Sequence, residues 1–379
     1  MSASHAGRAC PCCESLETRL HASPNTSRSM LSSGEVVKKP LQRCSCTACG
    51  YGFHAQQLTA GEVDGFYTAD YTVQRVNETT SSTRAEAVLD LILSTWGPRP
   101  DPTATLEIGC GAGMLLLKMS EHWPQASVQG VEPAPRLAAL AREQGQEVHS
   151  SGLMDFDTPN RFQLICSVNV MEHFVNPSEA LAKVASLLAP GGLYVQVTPD
   201  GNQPGLELLF FDHISSFSSS SLQRLADRSG LSLLQTRPLA GALQEFRLSV
   251  FSDSRPAVSE IELASADPSH LAPARERFFS RVRTSAAACS SPFLIFGAGE
   301  TADLLHAYRP ELVAAAEAFV VDRTQPRDLH GKPVRQLSDL TESTRFLVAV
   351  HSRSQDFVMS KLSSMGHDPI ALDWGPESL

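Results

Sequence analysis

The segment Leu106-Glu107-Ile108-Gly109-Cys110-Gly111-Ala112-Gly113 constrains the fold more than any other stretch of the chain. Its apolar start reads as a short buried strand, which runs into three closely spaced glycines and then into the helix-like Met114-Leu115-Leu116-Leu117-Lys118-Met119. Glycine at these positions admits positive φ and lets the backbone approach a ligand more closely than a Cβ would allow. The turn is therefore read as a ligand cradle. The next apolar run, Ala126-Ser127-Val128-Gln129-Gly130-Val131, leads to Glu132-Pro133. This places an acid at the tip of a second strand, about 20 residues past the glycines, where a doubly wound α/β sheet holds ribose hydroxyls.

A chain of 379 residues predicts two or three domains, because single cores stop growing near ~250 to 300 residues. Its 42% hydrophobic and 19% charged content is that of a soluble globular protein. A net charge of −10 counts against non-specific binding to nucleic acid or to anionic membranes, since like charges repel. No apolar run approaches the ~18 residues of a membrane helix. The opening Met1-Ser2-Ala3-Ser4-His5-Ala6-Gly7-Arg8 lacks the apolar segment of a signal peptide, so a cytoplasmic location is expected.

Six of the nine cysteines crowd into the amino-terminal region, as Cys10, Cys12, Cys13, Cys44, Cys46 and Cys49. In a reducing compartment such clustering points to metal rather than to disulfides. Cys10-Pro11-Cys12-Cys13 and Cys46-Thr47-Ala48-Cys49 each contain a Cys-x-x-Cys, and two such turns supply the four sulfurs of a closed tetrahedral zinc site. Cys10, Cys13, Cys46 and Cys49 are the expected ligands; Cys12 and Cys44 are the alternates, because Cys44-x-Cys46 also offers a pair. Segments 16–20 and 35–39 are expected to form short strands of the ribbon. A four-thiolate site has no open position for substrate, so its role is structural.

The predicted organisation is a zinc-binding module over 1–60, a helical connector and pocket lid over 61–98, a Rossmann-like core over 99–250, a helical connection over 251–285 and a smaller α/β domain over 286–379. Within the last, Phe293-Leu294-Ile295-Phe296 opens a second glycine turn, Gly297-Ala298-Gly299, and a following strand ends at Asp322. That turn either holds a nucleotide or only packs helix on strand. The fold class is α/β, with a doubly wound core flanked by the two smaller modules.

The pattern Glu107, Gly109, Gly111, Gly113 resembles the first motif of class I S-adenosylmethionine-dependent methyltransferases. The resemblance continues through Phe162-Gln163-Leu164-Ile165-Cys166-Ser167-Val168-Asn169-Val170-Met171-Glu172-His173-Phe174, and through Leu187-Leu188-Ala189-Pro190-Gly191-Gly192-Leu193-Tyr194-Val195. It implies S-adenosyl-L-methionine as cofactor, with Glu107 near the sulfonium end and Glu132 and Pro133 beside the ribose. Leu153 and Met154, or Asp155, would meet the adenine, and Asn169, Glu172 and His173 would line the pocket. Cys110 and Cys166 are read as small core residues.

Taken whole, the chain resembles the sugar C-methyltransferases of deoxysugar biosynthesis. The stretch Phe210-Phe211-Asp212-His213-Ile214-Ser215-Ser216-Phe217-Ser218 is similar to that family's Tyr-Glu-His-Ile-x-x-Phe-Ser. The resemblance implies His213 as the base, Asp212 as its partner, Tyr67 and Tyr71 in the pocket, and a nucleotide-linked keto sugar as small-molecule substrate. Histidine suits proton removal, having an unperturbed pKa near ~6.5. The chain departs from the family in Asp212 where glutamate is usual, in a wider tyrosine spacing, in Gly241-Ala242-Leu243-Gln244-Glu245 where His-Gly-Gly-Ser is usual, and at Gly297-Ala298-Gly299-Glu300-Thr301, where the family carries lysines. O- or N-methylation of another natural-product scaffold is the alternative activity. A zinc-ribbon protein with a non-catalytic cofactor-binding core is the alternative of a different class.

Overall fold

The computed structural model describes residues 8–25, 27–67, 78–254, 267–285, 289, 292–322 and 328–376. The chain folds into two units. The first comprises Met1–Leu20, Arg43–Gln203 and Asp212–Ala272, and the second His21–Gln42, Pro204–Phe211 and Pro273–Leu379.

The first unit is built on a seven-stranded sheet. From one edge its strands are Ser232–Pro238, Phe246–Ser252, Leu188–Pro199, Phe162–Val168, Ala104–Ile108, Ser127–Val131 and Glu147–His149. Phe246–Ser252 runs antiparallel to both neighbours, and the remaining pairings are parallel. From the central strand Ala104–Ile108 the chain builds outward to one side, then crosses to Phe162–Val168 on the other. That reversal of strand order opens a crevice beyond the carboxyl ends, where doubly wound sheets bind ligands.

Strand periodicity of two sends alternate side chains to opposite faces of this sheet. Leu106, Ile108 and Ile165 join the core beneath the helix Pro177–Leu187. Leu164, Cys166, Val195 and Val197 join the one beneath Glu78–Trp96 and Met114–His122. Both faces are covered, which explains why the central strands read as continuous apolar runs. The Pro190-Gly191-Gly192 segment lies inside Leu188–Pro199 as an irregularity in the pairing. A Cβ on Gly192 would sit 2.9 Å from the Ala189 carbonyl and 3.0 Å from that of Phe162.

A four-stranded sheet carries the cysteines. Thr18–Leu20 pairs with Arg43–Cys46 and that strand with Gly52–His54; the fourth strand, Ser215–Ser216, comes from the core sequence and pairs with Gly52 and Phe53. The expected 1–60 module is therefore not one body. Residues 21–42 belong to the second unit, where Val36–Val37 pairs with Ser29–Met30 instead of joining the ribbon. The polar contacts of that insert explain the departure. Arg28 donates to the carbonyls of Ala307 and His306 at 3.0 and 2.8 Å, and His21 Nδ1 lies 3.1 Å from Glu276.

The second unit holds a six-stranded sheet ordered Asp328–Leu329, Lys332–Gln336, Phe319–Val321, Leu294–Phe296, Arg345–Val348 and Asp368–Ala371. Its glycine turn favours the packing role. A Cβ on Gly297, at φ +115°, would lie 2.4 Å from the Ala349 carbonyl oxygen. Glu300 and Asp303 occupy the first turn of the helix Glu300–Tyr308, where negative side chains would oppose a phosphate. Asp322, at the tip of the next strand, is paired with Lys361 at 2.6 Å. Among the described residues, no helix is long and apolar enough to cross a membrane.

Candidate active site

Gly109, Gly111 and Gly113 all adopt positive φ, at 69°, 54° and 83°, but for different reasons. A Cβ on Gly109 would lie 2.4 Å from Val170 Cγ2, and one on Gly113 2.9 Å from Ala141 Cβ. A Cβ on Gly111 would meet nothing within 4 Å. The outer glycines thus admit close packing, and the middle one faces open space. Glu132, only 5% exposed, is aimed by the backbone. Its two oxygens accept from the amides of Gly111 and Ala134, each at 2.8 Å, and keep further lone pairs for ligand hydroxyls.

Glu107 lies near the end of the neighbouring strand Ala104–Ile108, 4% exposed, and its Oε2 has no hydrogen-bond partner among the described residues. Burial, reinforced by the Glu132 charge, holds its carboxyl well above the usual carboxylate range. A buried acid with an orphaned oxygen suits a cationic ligand group. In the ligand-free protein, Glu107→Gln is expected to raise the melting temperature at neutral pH. The unfolded carboxyl ionises near its ordinary ~4.3 while the folded one keeps its proton to higher pH, so wild-type stability falls as pH rises through that window. Glutamine cannot ionise, and the advantage of the variant should grow from acid to neutral pH. Thermal melts across pH check this; a constant difference between the two proteins would contradict it.

The second wall comes from the loop after Phe162–Val168. Asn169 holds a left-handed φ of 56°, a conformation costing a non-glycine residue roughly 1 to 3 kcal/mol, and its Oδ1 is buried without a partner among the described residues. Glu172 and His173 follow in the 3₁₀ turn Met171–His173. Glu172 is 1% exposed. Burial pushes the His173 imidazole down to about 4, and the nearby His213 acts in the same direction against the Asp212 charge. His173 is thus neutral at physiological pH.

Two further rings meet His173 edge-on. His213 stands perpendicular to it, with ring centroids 5.0 Å apart, and Tyr67 lies 6.1 Å away. Asp212 also contacts His173. Its carbonyl oxygen lies 2.8 Å from His173 Nδ1 and its carboxylate 3.7 Å from the same atom. Leu153 is buried with Phe156 and Ile108, Met154 is 47% exposed, and Tyr71 lies outside the described residues.

Residues 81–236 match the family model described as "Methyltransferase domain". This segment is a methyltransferase domain by that match. The chain is 32% identical over 103 residues to the ubiquinone biosynthesis O-methyltransferase of Bradyrhizobium sp. (strain ORS 278), covering 26% of this chain and 40% of that protein. It is 27% identical over 119 residues to the trans-aconitate 2-methyltransferase of Rhodopseudomonas palustris (strain BisA53), covering 31% and 46%. The chain thus spans less than half the length of these curated relatives. Among solved structures, the mitomycin 7-O-methyltransferase is similar at 18% identity, with 46% of this chain and 54% of that one covered at a TM-score of 0.39.

Outside the matched segment, the methyltransferase domain is joined by the cysteine ribbon. The sulfurs of Cys10, Cys13, Cys46 and Cys49 all lie within 4.8 Å of one another, with Cys10–Cys49 at 3.7 Å and Cys13–Cys46 at 3.6 Å. A tetrahedral ion bound at ~2.3 Å would set its sulfurs about 3.8 Å apart, so the donor set fits zinc. Of the alternates, Cys12 directs its thiol to the Ser221 carbonyl at 3.4 Å, and burial pushes the Cys44 thiol up to about 11.

Sequence reasoning missed a buried ion pair in the first unit. Arg247 reaches the two Asp200 oxygens at 2.9 and 3.3 Å, just after the strand Leu188–Pro199, and also donates to Thr236. The available signal was an arginine inside an apolar strand run and an acid directly after another. The Gly201 amide then donates to the Phe217 carbonyl at 3.0 Å, which ties this loop to the segment bearing His213.

Proposed function

We propose that the chain is an S-adenosylmethionine-dependent methyltransferase that methylates a carbon beside the keto group of a nucleotide-linked sugar, or of a similar small molecule. The observation that carries this reading is the meeting of His213, His173 and Tyr67 with Glu172 and Asp212, on the loop that Val170 packs against Gly109 of the glycine cradle. The donor supplies an activated methyl group on a cationic sulfur. Glu132 accepts hydrogen bonds from its ribose hydroxyls, and the Glu107 carboxyl lies toward the cationic end. His213 takes the proton from the acceptor carbon, and His173 stays neutral to line the pocket. The carbon left electron-rich by that proton removal would be the nucleophile toward the methyl group, with the sulfur of the donor leaving as a neutral thioether. Cys10, Cys13, Cys46 and Cys49 hold one structural zinc ion.

With S-adenosylhomocysteine in the site, methyl transfer is blocked but proton removal is not. A nucleotide-linked keto sugar in deuterated water should exchange its α-proton with the wild-type protein. No exchange with any keto sugar that binds would overturn the carbon-methylation reading.

One observation favours oxygen as the acceptor. Glu172, His173 and His213 offer ligand atoms within 4.8 Å of one another, a set able to hold a divalent cation that would bind an acceptor hydroxyl and lower its pKa. O-methylation without proton exchange, strictly dependent on added cation, would decide for that reading. Turnover to S-adenosylhomocysteine with any acceptor would exclude a non-catalytic core.

A further inference from the structure

We infer that the cysteine ribbon sets the position of both histidine-bearing loops, with Tyr51 and Arg43 as positioning residues. The inference rests on the proposed methyltransferase reading of the histidines and adds a role for the ribbon beyond stabilising itself. Four observations carry it, all within the first unit.

The strand Ser215–Ser216, two residues past His213, pairs with Phe53 and Gly52 of the ribbon. The Arg43 guanidinium, on a residue 3% exposed, donates to the His213 carbonyl. The Tyr51 hydroxyl shares a hydrogen bond with Ser215 Oγ, and that oxygen in turn donates to the Phe174 carbonyl at 3.3 Å, directly after His173. Ser218 Oγ donates to the Cys49 carbonyl at 2.7 Å while accepting from the Ser221 amide at the start of the helix Ser219–Arg228.

Packing supports these bonds. The Tyr51 ring lies 5.7 Å from that of Phe217, and a Cβ on Gly50 would fall 2.5 Å from Leu271 and 2.9 Å from Ser218 Oγ. A ribbon that only docked on the core would need the shared strand and apolar contact alone. Here two of its polar side chains reach the backbone on either side of the paired histidine rings, one directly and one through Ser215. A displacement of about 1 Å at reacting groups can cost roughly 100-fold in rate, so such anchors have a functional consequence.

The test uses full-length protein carrying 15N-labelled histidine, with the His213 and His173 ring signals assigned by their loss in His213→Asn and His173→Asn. Tyr51→Phe, which removes one hydroxyl, and Arg43→Met should shift both ring signals while those of His351 and His367 stay in place. Arg43→Lys, which keeps a donor, should restore them in large part. S-adenosylhomocysteine should still raise the melting temperature of each variant, showing that the cradle is folded. Unmoved His213 and His173 signals in folded Tyr51→Phe would overturn the inference. A wild-type protein that fails to respond to S-adenosylhomocysteine would instead count against the methyltransferase reading, so the two failures are distinct.

Discussion

His213→Ala is expected to lose roughly 10² to 10⁴ in turnover with a keto sugar acceptor, the usual contribution of a positioned general base, while still binding S-adenosylhomocysteine. Its ring is 6% exposed and stands against the His173 ring, so alanine removes the proposed proton acceptor and leaves the glycine cradle untouched. Asp212→Asn should lose less. The Asp212 carboxylate lies beside His173 Nδ1, and its carbonyl, which the substitution keeps, is the closer contact. Methyl-transfer rates of the two variants check this. Near-normal methylation by His213→Ala would move the base to the Glu172-His173 loop or to a tyrosine.

Cys46→Ser is expected to strip the ribbon of zinc and to destabilise the first unit as a whole. Structural zinc in small modules is worth about 10 to 16 kcal/mol of apparent binding energy, which is folding energy where no site exists in the unfolded chain. The ribbon also shares its sheet with Ser215–Ser216, and Cys10, Cys46 and Cys49 lie in one continuous core with Phe217, Leu222 and Leu225. Loss of metal should therefore lower the melting temperature of the methyltransferase domain and not of the ribbon alone. Elemental analysis of wild type and variant tests the first claim and thermal melts the second. Unchanged zinc content in Cys46→Ser would remove Cys46 from the ligand set.

The parts of the site legible in the sequence are those in which local chemistry and local conformation coincide. Positive φ at Gly109, Gly111 and Gly113, an acid at the tip of the second strand and two Cys-x-x-Cys turns each leave a pattern within a few residues. What depends on long-range pairing left no such trace. Nothing near residues 21–42 shows that their strand pair belongs to the second unit, because the arginine at position 28 meets its partner carbonyls at 306 and 307. Ser215 and Ser216 carry no strand signal of their own, since a two-residue strand acquires its identity only from Phe53 and Gly52. The contact of Asp212 with His173 is of the same kind. It lies across 39 positions, so nothing near Asp212 in the sequence announces it.

The measurement that tests the central claim most directly is the S-adenosylhomocysteine-dependent rise in melting temperature of wild type, Gly111→Val and Glu132→Ala. A ligand that binds only the native state stabilises it by about 2.7 kcal/mol at a hundredfold excess over its dissociation constant, so wild type should show a clear rise. Valine at position 111 would project into the space that meets nothing within 4 Å, and alanine at 132 would remove the carboxylate that the Gly111 and Ala134 amides hold in place. Both variants should lose the rise, whatever their own melting temperatures. A full rise in both would place the methyl donor elsewhere and contradict the account.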